Sequence, residues 1–180
     1  MTGRLPSSEA LPRIHGEIIF ATPHGSRLYG FQTDSSDEDW LIVTDSRRPR
    51  ASHTVRDGLD VVQIGWTAFL EHVLAGSHQS VEAAFSHRKL WRDARFRSHL
   101  DTLLVAGDDV ARKYRRTIKA FCFGDFKRRR HAVRLAQNLS DLRRYGRFNP
   151  EMTQREAAFA GTLAENLAGN ALAGILLAEF

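Results

Sequence analysis

The run His24-Gly-Ser-Arg-Leu-Tyr-Gly-Phe-Gln-Thr-Asp-Ser-Ser-Asp-Glu-Asp-Trp40 leads directly into Leu41-Ile-Val43. It joins a Gly-Ser turn to two carboxylates at alternate positions, Asp37 and Asp39, at the mouth of an apolar stretch. In a strand, residues two apart share a face, so the two carboxylates present their oxygens together while Trp40 to Val43 anchor the backbone. Hard oxygen donors of this kind, with positions left for water and phosphate, suit Mg²⁺. Gly25 admits a close backbone approach. Ser26 is expected to cap a short helix whose first N–H groups favour phosphate oxygens. The spacing therefore predicts a site for a metal-bound nucleoside triphosphate.

A third carboxylate, Asp60, sits in Gly58-Leu-Asp-Val-Val-Gln-Ile64, a second apolar run of strand length. Three carboxylates from two adjacent strands can hold two divalent ions about 3.5–4 Å apart, the clamp for in-line displacement at phosphorus. Asp57 is close by, and a slip of one in strand register would exchange which aspartate faces the site. Farther along, Lys127, His131 and Arg134 fall at i, i+4 and i+7 of an expected helix, beside the apolar stripe Ala132, Leu135, Leu139 and Leu142. Such a face can meet a phosphate, and a solvated basic face is the equal alternative.

Gly25-Ser26, ten residues, then Asp37-x-Asp39 and a strand-borne Asp60 resembles the signature of the polymerase-β-type nucleotidyltransferases. The fuller string GSRLYG with SDEDW is similar to a branch of predicted nucleotidyltransferases common in bacteria and their phages. The resemblance covers residues 16–87, extends more weakly over 112–156, and includes Trp66 to Leu70 and Ser80 to Glu82. It implies Asp37, Asp39 and Asp60 as catalytic metal ligands for Mg²⁺ or Mn²⁺, with Asp60 also activating the attacking hydroxyl. Gly25 and Ser26 would cradle the triphosphate, and Arg27, Tyr29, Lys127, His131 and Arg134 complete the expected nucleotide-binding set. Glu38 and Trp40 depart from the smaller residues commoner at those places, which points to an unusual acceptor pocket.

Around this centre, Gly16 to Ala21 reads as a first strand bounded by Pro23, Asp39 to Thr44 as a second, and Leu59 to Gly65 as a third. Asp45 to His53 reads as a polar loop broken by Pro49. Helices are expected from Trp66 to Leu74, around Val81 to Phe85, from Phe96 to Leu104, from Asp108 to Phe121, and from Phe126 to Tyr145. A last one begins at the capping box Thr153-Gln-Arg-Glu156. Phe121, Phe123 and Phe126 read as core, Cys122 as a buried filler, and His24 as a turn residue. The expected fold is α/β: a small mixed nucleotidyltransferase sheet with a helical C-terminal half. The catalytic core would span 14–87, its sheet lobe ending near 65, with a helical region over 88–180 packed on it.

Composition bounds the function. A hydrophobic share of 42% against 26% charged residues describes an ordinary globular chain. The single cysteine excludes an intrachain disulfide and a cysteine-cluster zinc site. No apolar run reaches the roughly 18 residues of a membrane span, and the N-terminal residues lack the apolar core of a signal peptide, so the expected location is the cytoplasm. The net charge of +5 is concentrated: residues 112–147 hold 13 of the 26 Lys and Arg against Asp125 and Asp141 alone. The expected activity is transfer of a nucleoside monophosphate from an NTP to a hydroxyl. The acceptor would be a nucleic acid 3′ end or a protein hydroxyl. Two rivals are an antitoxin-like module with a toxin partner and a nucleic-acid-binding module, each keeping the fold with little or no catalysis.

Overall fold

The computed structural model describes residues 5–7, 9–48, 50–103 and 107–178, which leaves Pro49 and Leu104 of the expectations above outside the described residues. Among the described residues, five strands form one mixed sheet: β1 (Ile18–Pro23), β2 (Glu38–Thr44), β3 (Ser52–Arg56), β4 (Leu59–Gly65) and β5 (Leu90–Trp91), in the order β3-β4-β2-β1-β5. Only β2 and β4 run parallel; the other neighbours are antiparallel. The helices are α1 (Gly25–Tyr29), α2 (Trp66–Leu74), α3 (His78–Phe85), α4 (Arg97–Asp101), α5 (Asp108–Cys122), α6 (Phe126–Tyr145), α7 (Gln154–Asn166) and α8 (Gly169–Leu177). The chain is thus an α/β protein with a helical C-terminal half.

Strand alternation divides the apolar residues between two layers. Leu41, Val43 and Ile64 face the helices and join one cluster with Phe69, Val81, Tyr114, Ile118, Leu135, Leu139 and Leu172. Trp40, Ile42, Leu59 and Val61 face the other way, under Leu5, Leu11 and Ile14. Helix α6 spans residues 126–145 as the periodicity predicts, held at its start by the Asp125 side chain, which accepts from the Arg128 N–H, and ended by Gly146 at φ 72°. The Thr153–Glu156 capping box is present at the start of α7, and Cys122 is fully buried.

Several expectations need correction. Strand β1 starts two residues late and runs through Pro23, which pairs with Trp40 at the strand end, where its missing N–H interrupts no interior ladder. Part of the expected loop is β3, an edge strand returned to β4 by Asp57-Gly58, both at positive φ (51° and 76°). This is the turn that a tight antiparallel hairpin favours. The expected helix over 96–104 is shorter: one 3₁₀ turn at Ala94–Phe96, then α4. The last helical stretch is two helices, interrupted at Leu167 and Ala168, both in extended conformation. Phe123 and Phe126 are not core: they are 59% and 44% exposed at the α5–α6 corner, where Gly124 turns the chain. No described helix is long and apolar enough to cross a membrane.

Candidate active site

The parallel ladder between β2 and β4 pairs Asp39 with Asp60, Leu41 with Val62 and Val43 with Ile64. Both aspartates therefore stand side by side at the N-terminal ends of their strands, on the face that carries the helices. Asp57 is in the β3–β4 turn, so the register ambiguity resolves in favour of Asp60. Asp37 lies just ahead of β2. The Arg27 guanidinium donates to the Asp37 and Ser36 carbonyls, both at 3.3 Å, and so braces the loop that carries Asp37.

Asp37, Asp39 and Asp60 line one cavity of about 750 Å³ together with Gly25, Ser26, Tyr29, Lys127, His131 and Arg134. This volume is that of a small-molecule site. Arg27 is not among its lining residues; its guanidinium serves the loop instead. Burial raises the Asp39 carboxyl above the ordinary carboxylate value, and repulsion from Asp60 and Asp37 raises it further. Lys127 and the Ser26 N–H act in the opposite direction. The cluster is thus a set of like charges brought together, the electrostatic state that a divalent cation relieves.

Gly25 has a role that differs from the expected one. It sits at φ 59°, and a Cβ there would fall 1.8 Å from Asp39 Oδ2. The missing side chain makes room for the Asp39 carboxylate, which accepts a hydrogen bond from the Ser26 N–H. Ser26 does not cap α1: the helix already begins at Gly25, and His24 occupies the cap position without a side-chain bond.

Arg134 is 2% exposed and pairs with the fully buried Glu82, whose Oε1 also accepts from Asn138 at 3.4 Å. Burial pushes the Glu82 carboxyl up, but the Arg134 guanidinium outweighs it, and the group stays below the ordinary glutamate range. Tyr29 donates to Glu82 Oε2 at 2.6 Å, and the Arg134 guanidinium lies 3.6 Å from the centre of the Tyr29 ring. Arg134 and Tyr29 therefore form the cavity floor as part of a buried network, with the guanidinium already engaged by a carboxylate. Lys127, exposed at the start of α6, has no such carboxylate partner among the described residues. His131 packs edge-on against Tyr29 and Phe31, and burial lowers its pKa to about 3.

Sequence reading missed three histidines of this cavity. His53, on the edge strand β3, meets Asp60 Oδ1 through Nε2 at 2.6 Å. His24 is half-buried beside Tyr29, with its pKa lowered to about 4 by burial, and His78 also lines the cavity. The signal for His53 was the Asp57-Gly58 dipeptide: a two-residue turn sets His53 opposite Val62, hence on the Asp60 face. Among the described residues, no group of three His, Cys, Asp or Glu side chains is arranged to hold a metal ion as it stands. No family model, curated protein or solved structure matches this chain.

Proposed function

We propose that this chain is a cytoplasmic, metal-dependent nucleotidyltransferase that moves a nucleoside monophosphate from an NTP to an acceptor hydroxyl and releases pyrophosphate. The observation that carries the reading is the β2–β4 register, which brings Asp39 and Asp60 together on the wall of the cavity that Asp37 and Lys127 also line. The donor chemistry fits Mg²⁺ or Mn²⁺: three hard carboxylates in one cavity, with the Asp39 carboxyl raised by burial and further by repulsion from Asp60 and Asp37. Asp37, Asp39 and Asp60 would hold the ions, which when bound neutralise the triphosphate and lower the pKa of the attacking hydroxyl.

The chain's own residues position and balance charge. Gly25 gives the Asp39 carboxylate its place, Ser26 orients it through a backbone N–H, and His53 orients Asp60. Lys127 supplies the positive charge that meets phosphate oxygens. Catalysis here rests on positioning and electrostatic stabilisation. The acceptor is a nucleic acid 3′ end or a protein hydroxyl, the former favoured by the basic residues of 112–147.

A second reading, a toxin-paired or nucleic-acid-binding module without turnover, is favoured by the engagement of Asp60 with His53 and of Asp39 with Ser26. Incubation with each labelled NTP, Mg²⁺ and a panel of RNA, DNA and protein acceptors separates the two. Label transferred to an acceptor supports the transferase. Absence of transfer and of pyrophosphate with all four NTPs supports the module.

A further inference from the structure

Helix α6 carries three arginines that are partly or fully buried, and two of them are engaged. Arg134 is held by Glu82, and Arg129 donates to the Gly124 and Ala164 carbonyls at 2.9 and 2.8 Å. The third, Arg130, lines the carboxylate cavity and makes no hydrogen bond or ion pair among the described residues. Its Nε is closed off from solvent, and its terminal nitrogens are not. A guanidinium is all donor and stays charged at every working pH, so Arg130 is a fixed positive group without a counter-ion. Lys127, one turn nearer the helix start, is the α6 cation that acts most on the Asp39 carboxyl. The two cations therefore serve different parts of the cavity.

What holds Arg130 in place is aromatic. Its guanidinium carbon lies 3.9 Å from the centre of the Phe31 ring and 5.5 Å from that of Phe126. Both distances are within cation–π range, and such contact uses the charge while leaving the N–H donors to an anion. The row runs from inside to outside: Phe31 is buried, Arg130 is half-buried, and Phe126 is 44% exposed at the α5–α6 corner. A lone exposed phenylalanine is ordinary. This one stands beside an arginine without a counter-ion and next to Lys127 in the chain. Cations that take backbone phosphates, with a ring on which a base stacks, are what a single-stranded nucleic acid needs. A duplex hides its base faces, and an unmodified protein segment brings neither a phosphate nor a base.

We infer that Phe126 and Arg130 seat the acceptor strand, a single-stranded nucleic acid: one base stacks on the Phe126 ring, and one backbone phosphate meets the Arg130 guanidinium that Phe31 holds. The inference rests on the nucleotidyltransferase reading and names the acceptor that this reading leaves open. Lys127 stays with the triphosphate, so donor and acceptor phosphates have separate cations one helical turn apart.

Fluorescence anisotropy with a 5′-labelled single strand of about 12 nucleotides, as RNA and as DNA, measures the seat, with the corresponding duplex for comparison. Calorimetry with a non-hydrolysable NTP analogue in Mg²⁺ measures the donor site. Both are run on wild type, Phe126→Leu, Phe126→Trp and Arg130→Met, each checked by thermal unfolding. Leucine keeps an apolar side chain and removes the π-face; tryptophan enlarges that face. Methionine keeps much of the arginine stem and removes the charge. Strand affinity is expected to fall about fivefold or more in Phe126→Leu and to be kept or raised in Phe126→Trp. In Arg130→Met it should fall, and the slope of log affinity against log salt should become shallower by about 0.7, the share of one single-strand phosphate. NTP-analogue affinity should hold in both Phe126 variants, because that ring is not among the residues lining the carboxylate cavity.

Unchanged strand affinity in Phe126→Leu overturns the proposal, as does an unchanged salt slope in Arg130→Met. Equal loss for strand and NTP analogue in Phe126→Leu overturns it too, because the ring then serves the donor. Wild type that binds the duplex as tightly as the single strand contradicts the stacking. Wild type that binds neither overturns the seat and leaves a protein hydroxyl as the acceptor. Strand binding with the expected losses but no pyrophosphate from any NTP supports the seat and refutes the transferase reading alone.

Discussion

Replacing Arg134 with methionine tests whether this arginine is a strut of the fold or a ligand of the nucleotide. The side chain is 2% exposed, and its partner Glu82 is fully buried. Removing the guanidinium leaves a carboxylate with only Tyr29 and Asn138 as donors, in a place that water does not reach. Removing one member of such a buried pair costs about 3–5 kcal/mol. For a chain of this length that corresponds to a fall in Tm of roughly 6–20 °C. Urea and thermal unfolding followed by circular dichroism measure it. The double replacement Glu82→Leu with Arg134→Met should recover much of the loss, since an apolar pair of similar volume removes both buried charges together. A cost below about 1 kcal/mol for Arg134→Met, or a double variant no more stable than the single, would refute the strut.

Gly25→Ala should displace the Asp39 carboxylate, because the new Cβ falls 1.8 Å from Oδ2 and the residue must also hold φ 59°. The left-handed backbone alone costs about 1–2 kcal/mol, and transfer should fall far more than stability; wild-type turnover in the variant would contradict the packing argument. Stability should also decrease with acid. His24 and His131 sit at about 4 and about 3 in the fold, below the imidazole value of about 6.5 in the unfolded chain. The folded state then binds fewer protons, so stability is fully present above the unfolded value and is lost as pH falls toward the folded ones. Urea midpoints at about pH 7.5 and about pH 5 should differ in wild type and converge in part in His131→Phe, whereas a pH-independent midpoint over that window would show that these rings are not held neutral.

The centre of the site was legible because its signals are local. Alternation put Asp39 on a definite strand face, and a second apolar run offered Asp60 as its neighbour; the parallel register pairs them residue for residue. The hairpin of β3 was equally legible in Asp57-Gly58, but the polar, exposed sequence Ser-His-Thr-Val-Arg lacks the buried alternation that marks a strand. Missing it hid His53. The Glu82–Arg134 pair was out of reach for a different reason: its members are 52 residues apart, and nothing in either local pattern names the other. Arg134 follows a run of basic residues none of which is fully buried, so its own burial shows only once α6 packs against α3. Spacing aligned it correctly with Lys127 and His131, but could not tell that a carboxylate already occupied its guanidinium.

The central claim is that Asp39 and Asp60 form the working centre of a nucleotide-transfer site, and pyrophosphate release by wild type, Asp39→Asn and Asp60→Asn in Mg²⁺ tests it most directly. Each substitution keeps the side-chain shape and removes one charge, so all three proteins should melt alike. Release by wild type, with a drop of about 10²-fold or more in both variants, is the predicted result. Equal release from all three, or from either variant at the wild-type rate, would contradict it.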